Sequence, residues 1–259
     1  IAALQYADRI YQLPLGVVGV AVGVVLLPEL SRALKAGHMK EAAGIQNRSL
    51  EFVLFMTLPA AAGLWVLSEP IIRVLYERGA FSSENTTVVA SILAIYGIGR
   101  PGFVMIKALQ PGFYAREDTR TPMRFTFISV IVNSGLAITL FPILAERGIA
   151  TAEAAAGWIN TILLFSTLLW RGDLVWEWAL LRRTLLLIVS AGVMAATLIY
   201  ALPYASPWLL PQVPLLQQIA ALAALIGLAV AVYFPVAFLI GGAELGMIRR
   251  NLRRTRQKG

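Results

Sequence analysis

Apolar residues fill the chain in long blocks, and short stretches rich in charged residues, prolines or glycines separate the blocks. A helix needs about 20 apolar residues to cross a bilayer. The pattern does not show the alternation, in segments of about ten residues, that is typical of an outer-membrane β-barrel. It predicts an all-α polytopic membrane protein with about seven transmembrane helices, which lie at about 5–31, 47–74, 85–109, 123–144, 152–170, 180–201 and 215–241.

Composition agrees with a membrane protein and argues against an enzyme. The mean hydropathy is +0.74 and 14% of the residues are charged, against roughly 25% in a soluble domain. The absence of cysteine excludes disulfides and thiolate metal sites, and the single histidine, His38, has no ligand partners nearby in the sequence. No glycine-rich phosphate loop with a lysine is present. We predict a transporter with no catalytic residue, metal or cofactor, and leave open whether a coupling ion is used.

Basic residues cluster in alternate connections and in the tail RRNLRRTRQKG at 249–259. The positive-inside rule therefore predicts a periplasmic N-terminus and a cytoplasmic C-terminus. A basic tail can also bind nucleic acid, but this one follows a span directly and has no aromatic residues for base stacking, so we interpret it as a membrane anchor. The chain begins without methionine or a cleavable leader, and we expect it to be a fragment of a longer protein.

Two cytoplasmic segments suggest how the chain is organised. Residues 32–48, RALKAGHMKEAAGIQNR, are predicted to form a short amphipathic helix on the membrane surface. The stretch RGDLVWEW at 171–178 places charges and tryptophans at the inner interface. We divide the chain there into a partial transporter lobe of five spans, 1–172, and a terminal helix pair with the basic tail, 173–259.

Polar residues in the first span are candidates for a substrate cavity. Asp8 and Gln12 are four residues apart, so they share a helix face, and Arg9 lies next to them. Ionisable groups at membrane depth usually face a bundle interior or a wet cavity, and the planar fork of Arg9 matches phosphate oxygens. An ion pair between Asp8 and Arg9 at the outer end of the helix explains the spacing equally well.

The same span carries residues that permit bending and close approach. A proline removes one hydrogen bond of the helix, and small residues at spacings of four let membrane helices approach each other. The candidate hinge and packing residues are Pro14, Gly16, Gly19 and Gly23. Ordinary helix packing accounts for the glycines about as well.

Arg100 lies about midway along the third predicted span, in the sequence IYGIGRPGF. A lone arginine at this depth, followed by Pro101, predicts a kinked helix with a charge that faces a cavity. A buried structural ion pair is the alternative.

The stretch QPGFYAREDTRTP at 110–122 interrupts an apolar region with four charged residues within five positions. We expect Pro111 and Gly112 to break the helix, and Phe113 and Tyr114 to lie at the interface. Thr121 resembles an N-cap, followed by Pro122 at the first helical position of the next span. The positive-inside rule accounts for the basic residues of this cytoplasmic turn, but it does not account for its acidic ones.

Two long motifs resemble the MurJ (MviN) family of bacterial lipid II flippases, which belong to the MOP exporter superfamily with MATE-like architecture. They are QYADRIYQLPLGVVGVAVGVVLLPELSR at 5–32 and KALQPGFYAREDTRTP at 107–122. The resemblance runs over essentially the whole chain. It implies two six-helix lobes around a central cavity plus a final helix pair, with this chain holding spans eight to fourteen.

The resemblance also implies an activity, namely export of lipid II across the inner membrane by alternating access. The partners would then be lipid II, membrane lipids and the missing N-terminal half, with no nucleic acid. Asp8 and Arg9 match the family's cavity charges, whereas Gln12 stands where an acidic residue is usual and Arg100 where an apolar one is usual. The last two spans would form a groove for the polyprenyl tail, and a cytoplasmic gate would consist of Lys107, Tyr114, Arg116, Asp118 and Arg120.

Three other functions remain as alternatives. Another exporter of the same superfamily would carry different lipid-linked oligosaccharides or drugs. A membrane enzyme acting on prenyl phosphates would need clustered acidic or histidine residues at one interface, which the sequence lacks. A scaffold without transport activity would not need Arg9.

Overall fold

The computed structural model describes residues 3–8, 26–79, 81–175 and 177–242. Within these ranges the chain is almost entirely helical and contains no strand. The first predicted span is helical at 3–8 and at 26–35, and its central part lies outside the described residues. The predicted all-α fold class is confirmed.

Six helices in the described ranges are long and apolar enough to cross a membrane, and they coincide with the other six predicted spans. The chain is therefore a multi-pass membrane protein. The helices are α1 (Met39–Tyr76), α2 (Ser83–Tyr114), α3 (Arg120–Leu144), α4 (Glu146–Trp170), α5 (Trp178–Ala205) and α6 (Leu215–Leu239), and a 3₁₀ helix (Ser206–Leu209) follows α5.

Helix α1 connects the two parts of the bundle because it packs against α2 on one side and against α5 and α6 on another. Both α2 and α3 pack on α4. Of the residues in the most apolar stretch of each helix, 67% are buried in α2 and 6% are buried in α3. Helix α2 is thus at the centre of the bundle and α3 is at its edge. The proposed division between residues 172 and 173 stays a prediction.

Small residues bring α2 and α4 into close contact. A Cβ at Gly99 would lie 2.8 Å from the Ala154 Cβ, and one at Gly157 would lie 2.7 Å from the Phe103 ring. Side chains then bond across the interface, since the Thr161 hydroxyl donates to the carbonyl of residue 102 at 2.7 Å. This packing fixes the face of α2 that carries Arg100.

The prediction of a separate amphipathic helix at 32–48 is wrong. The helix that includes 26–35 ends at a turn in which Gly37 has a φ of +75°, the left-handed conformation that commonly terminates helices. Helix α1 then begins at Met39 and continues for 38 residues. Residues 35–41 are exposed around this turn, whereas the following turns of α1 bury Gln46 and Asn47 within the bundle.

The predicted helix break at Pro111 and Gly112 is also wrong, because α2 continues to Tyr114. A proline removes only its own N–H donor and crowds one preceding carbonyl, which is tolerated where tertiary packing holds the turn. Here Phe113 is fully buried and anchors the end of the helix.

Candidate functional site

Two connections meet at one end of the bundle through a reciprocal pair of salt bridges. The turn between α2 and α3 contains Arg116 and Asp118, and the linker between α4 and α5 contains Arg171 and Asp173. Arg116 Nε lies 2.8 Å from Asp173 Oδ1, and Arg171 Nη1 lies 2.7 Å from Asp118 Oδ2. Each arginine therefore binds the aspartate of the other connection, and we call this arrangement the crossed ion pairs.

The Asp118 carboxylate also caps the start of α3. It accepts hydrogen bonds from the Thr121 backbone N–H at 3.0 Å and from the Thr121 hydroxyl at 2.6 Å. A negative charge at a helix N-terminus is favourable. Because α3 begins at Arg120, Thr121 lies inside the helix, and the prediction that Thr121 is the N-cap is wrong. The hydrogen bond from the Thr121 hydroxyl, assisted by Arg171, lowers the pKa of Asp118 from its ordinary 3.8 to about 2, although desolvation opposes the shift.

Arg116 and Arg171 each make a second contact that orients the guanidinium. Arg116 Nη1 donates to the Gly112 carbonyl at 2.6 Å, which places a cation at the C-terminus of α2. The Arg171 guanidinium carbon lies 5.6 Å from the centroid of the Phe113 ring. Phe113 is buried beneath it, so the predicted interfacial position is wrong for Phe113, whereas Tyr114 is exposed.

The structure brings together only part of the predicted gate. Lys107 and Arg120 are exposed and lie outside the crossed ion pairs. The sequence reasoning missed Arg171 and Asp173, although a signal was present: Arg116–Asp118 and Arg171–Asp173 are both Arg-x-Asp triplets. The proposed role of these residues in a gate stays a prediction.

A second charged cluster lies within the membrane-spanning part of the bundle. Arg100 is 8% exposed, and its guanidinium carbon lies 5.8 Å from the Tyr96 ring centroid and 5.4 Å from that of Phe103. The carboxylates of Asp8 and Glu153 are close enough for their charges to act on it. The Tyr96 hydroxyl is hydrogen-bonded to Glu153. The helical segment 3–8, α2 and α4 thus all contribute to this cluster.

The predicted cavity residues are only partly within the described ranges. Asp8 and Arg100 lie in the same cluster, and Pro101 is buried in α2 beside it. Sequence reasoning missed Glu153, which stands alone in an alanine-rich stretch. Whether the cluster faces a cavity stays a prediction. The remaining predicted cavity and hinge residues lie outside the described residues, namely Arg9, Gln12, Pro14, Gly16, Gly19 and Gly23.

An apolar groove of about 470 Å³ runs between the C-terminal end of α5 and the N-terminal part of α6. Small and aromatic side chains line it, among them Ala201, Tyr204, Trp208, Ala221 and Leu225. Tyr204 and Trp208 are both largely exposed, as expected for an aromatic belt. The use of this groove by a polyprenyl tail stays a prediction.

Metal binding finds no support among the described residues. In these ranges no three His, Cys, Asp or Glu side chains are grouped so that they could hold a metal ion. The expectation that the protein uses no metal or cofactor remains a prediction.

Comparison with known proteins identifies the family. A family model described as "Lipid II flippase MurJ" matches residues 1–217. A "Probable lipid II flippase MurJ" of Rhizobium tropici is 68% identical over 256 residues, covering 99% of this chain and 48% of the relative. Another, of Rhizobium meliloti (strain 1021), is 59% identical over 254 residues, covering 98% of this chain and 48% of the relative.

A solved structure gives the same result at the level of the fold. "Lipid II flippase MurJ, inward closed conformation" superposes with a TM-score of 0.64 at 27% sequence identity, covering 91% of this chain and 47% of that chain. The chain spans about half the length of the curated relatives it matches. The resemblance seen in the two long motifs is confirmed, and the chain belongs to the MurJ family of lipid II flippases.

Proposed function

We propose that this chain forms the C-terminal part of a flippase that exports lipid II across the bacterial inner membrane. The protein works by alternating access without covalent chemistry and without a cofactor. The N-terminus of the chain is periplasmic and its C-terminus is cytoplasmic. Its partners are lipid II, the surrounding lipids and the N-terminal half of the same transporter, and it does not bind nucleic acid.

The observation that carries the proposal is the cluster of Arg100, Asp8 and Glu153 at membrane depth. Ionisable groups inside a membrane are costly, and they normally mark the path of a polar substrate. Arg9 adjoins Asp8 in the sequence, so it adds a guanidinium that can meet the diphosphate of lipid II. An anion that binds the inward-open and outward-open states with different affinities would couple binding to the conformational change.

Complementation in a flippase-depleted bacterium tests this proposal. A full-length protein that contains this half is compared with its Arg9→Ala variant at matched protein levels. We expect Arg9→Ala to abolish growth and lipid II export. Arg147→Ala is the control, because Arg147 is exposed near the outer end of α4. Normal export by Arg9→Ala would remove this residue from the mechanism.

At the cytoplasmic end, the crossed ion pairs act as a gate in which Arg116 and Asp118 exchange partners as the lobes rock. Lys107, Tyr114 and Arg120 flank the gate. Asp118→Asn keeps an oxygen that can cap α3 but weakens the bond to Arg171, so we expect normal membrane insertion and an export rate about fivefold lower, equivalent to about 1 kcal/mol. Unchanged export would leave these charges with only a topological role.

A further inference from the structure

A stripe of residues on α1 meets three successive parts of the C-terminal region. Asn47, Glu51 and Phe55 are spaced four apart, so they lie on one face of the helix. Asn47 Nδ2 donates to the Val175 carbonyl of the α4–α5 linker at 3.1 Å. Glu51 Oε2 accepts from Arg183 Nη1 of α5 at 2.8 Å. We call this stripe the α1 seam.

The third contact of the α1 seam depends on a proline. Pro59 lies inside α1 and has no N–H, so the carbonyl of Phe55, four residues earlier, lacks its usual donor within the helix. The hydroxyl of Tyr233, on α6, donates to this carbonyl at 2.8 Å. An unpaired carbonyl in the apolar interior is costly, so the proline creates an acceptor that the tyrosine satisfies.

Packing around this bond excludes lipid and water. Tyr233 is 1% exposed and Phe55 is 2% exposed. The Phe55 ring centroid lies 5.8 Å from that of Tyr233 and 5.4 Å from that of Phe234, the second in an edge-on arrangement. Glu51 is buried at the α5 contact, where its carboxylate is held by Arg183. The Glu51 and Phe55 contacts therefore join groups that would be unfavourable if they separated in an apolar environment.

We propose that the α1 seam fixes α5 and α6 to the first four helices, so that the terminal helix pair moves with the lobe as one rigid body during transport. Tyr233 is the positioning residue of this seam because it binds the acceptor that Pro59 creates. The groove between α5 and α6 is then carried along with the lobe and does not swing independently. This inference concerns motion only, and it holds whichever substrate the protein carries.

Distance measurements between spin labels test the proposal in the full-length protein. Labels at Trp65 of α1 and Val230 of α6, both half-exposed, report the position of the helix pair. We expect one narrow distance distribution that is the same with and without lipid II in nanodiscs. Tyr233→Phe should broaden it, and Tyr200→Phe, at an exposed side chain of α5 outside the groove, should not. A distribution that shifts with lipid II in the wild type would overturn the proposal.

A double-mutant cycle tests the bond itself. Tyr233→Phe should raise the equilibrium constant for unfolding about fivefold, the value of one ordinary hydrogen bond. Pro59→Ala restores an N–H that can bond to the Phe55 carbonyl, so Tyr233→Phe in that background should have almost no effect. An equal effect in both backgrounds would contradict the assignment of Tyr233 to this acceptor. Neither readout requires export, so failure here differs from failure of the proposed function.

Discussion

Arg100 and Arg171 both lie near carboxylates, yet their surroundings differ. Arg100 is 8% exposed and lies within the membrane-spanning part of α2, whereas the side chain of Arg171 is 36% exposed beyond the end of α4. Charges that are removed from water attract each other strongly and cannot be left unpaired, whereas exposed pairs are screened by solvent and salt. The membrane cluster is therefore suited to hold its charges in fixed positions. The crossed ion pairs are suited to break and re-form.

The largest expected effect of a substitution concerns the membrane cluster. Glu153→Leu removes a carboxylate that acts on Arg100, and we expect the free energy of unfolding to fall by about 3 kcal/mol. The double variant Arg100→Leu with Glu153→Leu leaves no uncompensated guanidinium and should be much more stable than the single variant. Denaturant unfolding of the full-length protein in detergent measures both. A double variant as unstable as the single one would show that the two charges are not coupled.

The next effect is a pH dependence at the turn between α2 and α3. The pKa of Asp118 in the folded protein is about 2, below its ordinary 3.8, so its stabilising contribution is complete above about pH 4. This contribution, at most about 2 kcal/mol, is lost as the pH falls through about 2. Acid unfolding of the wild type and of Asp118→Asn measures it, because the difference in stability between the two should shrink between pH 4 and 2. A constant difference over that range would contradict the assignment.

A smaller effect separates the crossed ion pairs from the membrane cluster. A double-mutant cycle with Arg116→Gln and Asp173→Asn should give a coupling energy of about 0.5–1 kcal/mol, as for other partly exposed pairs. Raising the salt concentration from 0.1 to about 1 M should reduce this coupling, because the Debye length falls from about 10 to 3 Å. Thermal unfolding at both salt concentrations measures it. A coupling that does not respond to salt would show that this pair, like the membrane cluster, is shielded from solvent.

The smallest effect is expected at the exposed basic residues that flank the crossed ion pairs. Lys107→Gln and Arg120→Gln should each change the free energy of unfolding by less than about 0.5 kcal/mol, because both side chains lie at the surface. Thermal unfolding and export assays test them together with Asp118→Asn. A loss of export comparable to that of Asp118→Asn would extend the gate to the flanking residue concerned.

The transmembrane helices were predictable because a bilayer requires each span to satisfy its own backbone hydrogen bonds, which makes the apolar block a reliable signal. Where helices begin and end was less predictable. The break expected at Pro111 does not occur because Phe113 is buried, and burial depends on helices that are distant in the sequence. In the same way, the acceptor created by Pro59 could be read from the sequence, but its donor, Tyr233, could not.

The charged sites, like the helices, were predictable only in part. The sequence identified Arg100, Arg116 and Asp118 as unusual because charge is rare in an apolar chain. Their partners were not identifiable, because pairing depends on how the helices pack. Glu153 approaches Arg100 through the glycine contacts between α2 and α4, and Asp173 approaches Arg116 across 57 positions. Periodicity within one helix contains no information about such contacts.

The crossing of the two salt bridges makes the connection between the turn and the linker redundant. The arginine of each triplet binds the aspartate of the other triplet. A substitution at any of the four residues therefore breaks one salt bridge and leaves the second in place. Mutational damage at this point is therefore graded, and complete release requires two changes. A transporter can therefore acquire substitutions at either triplet, one at a time, without losing both salt bridges at once.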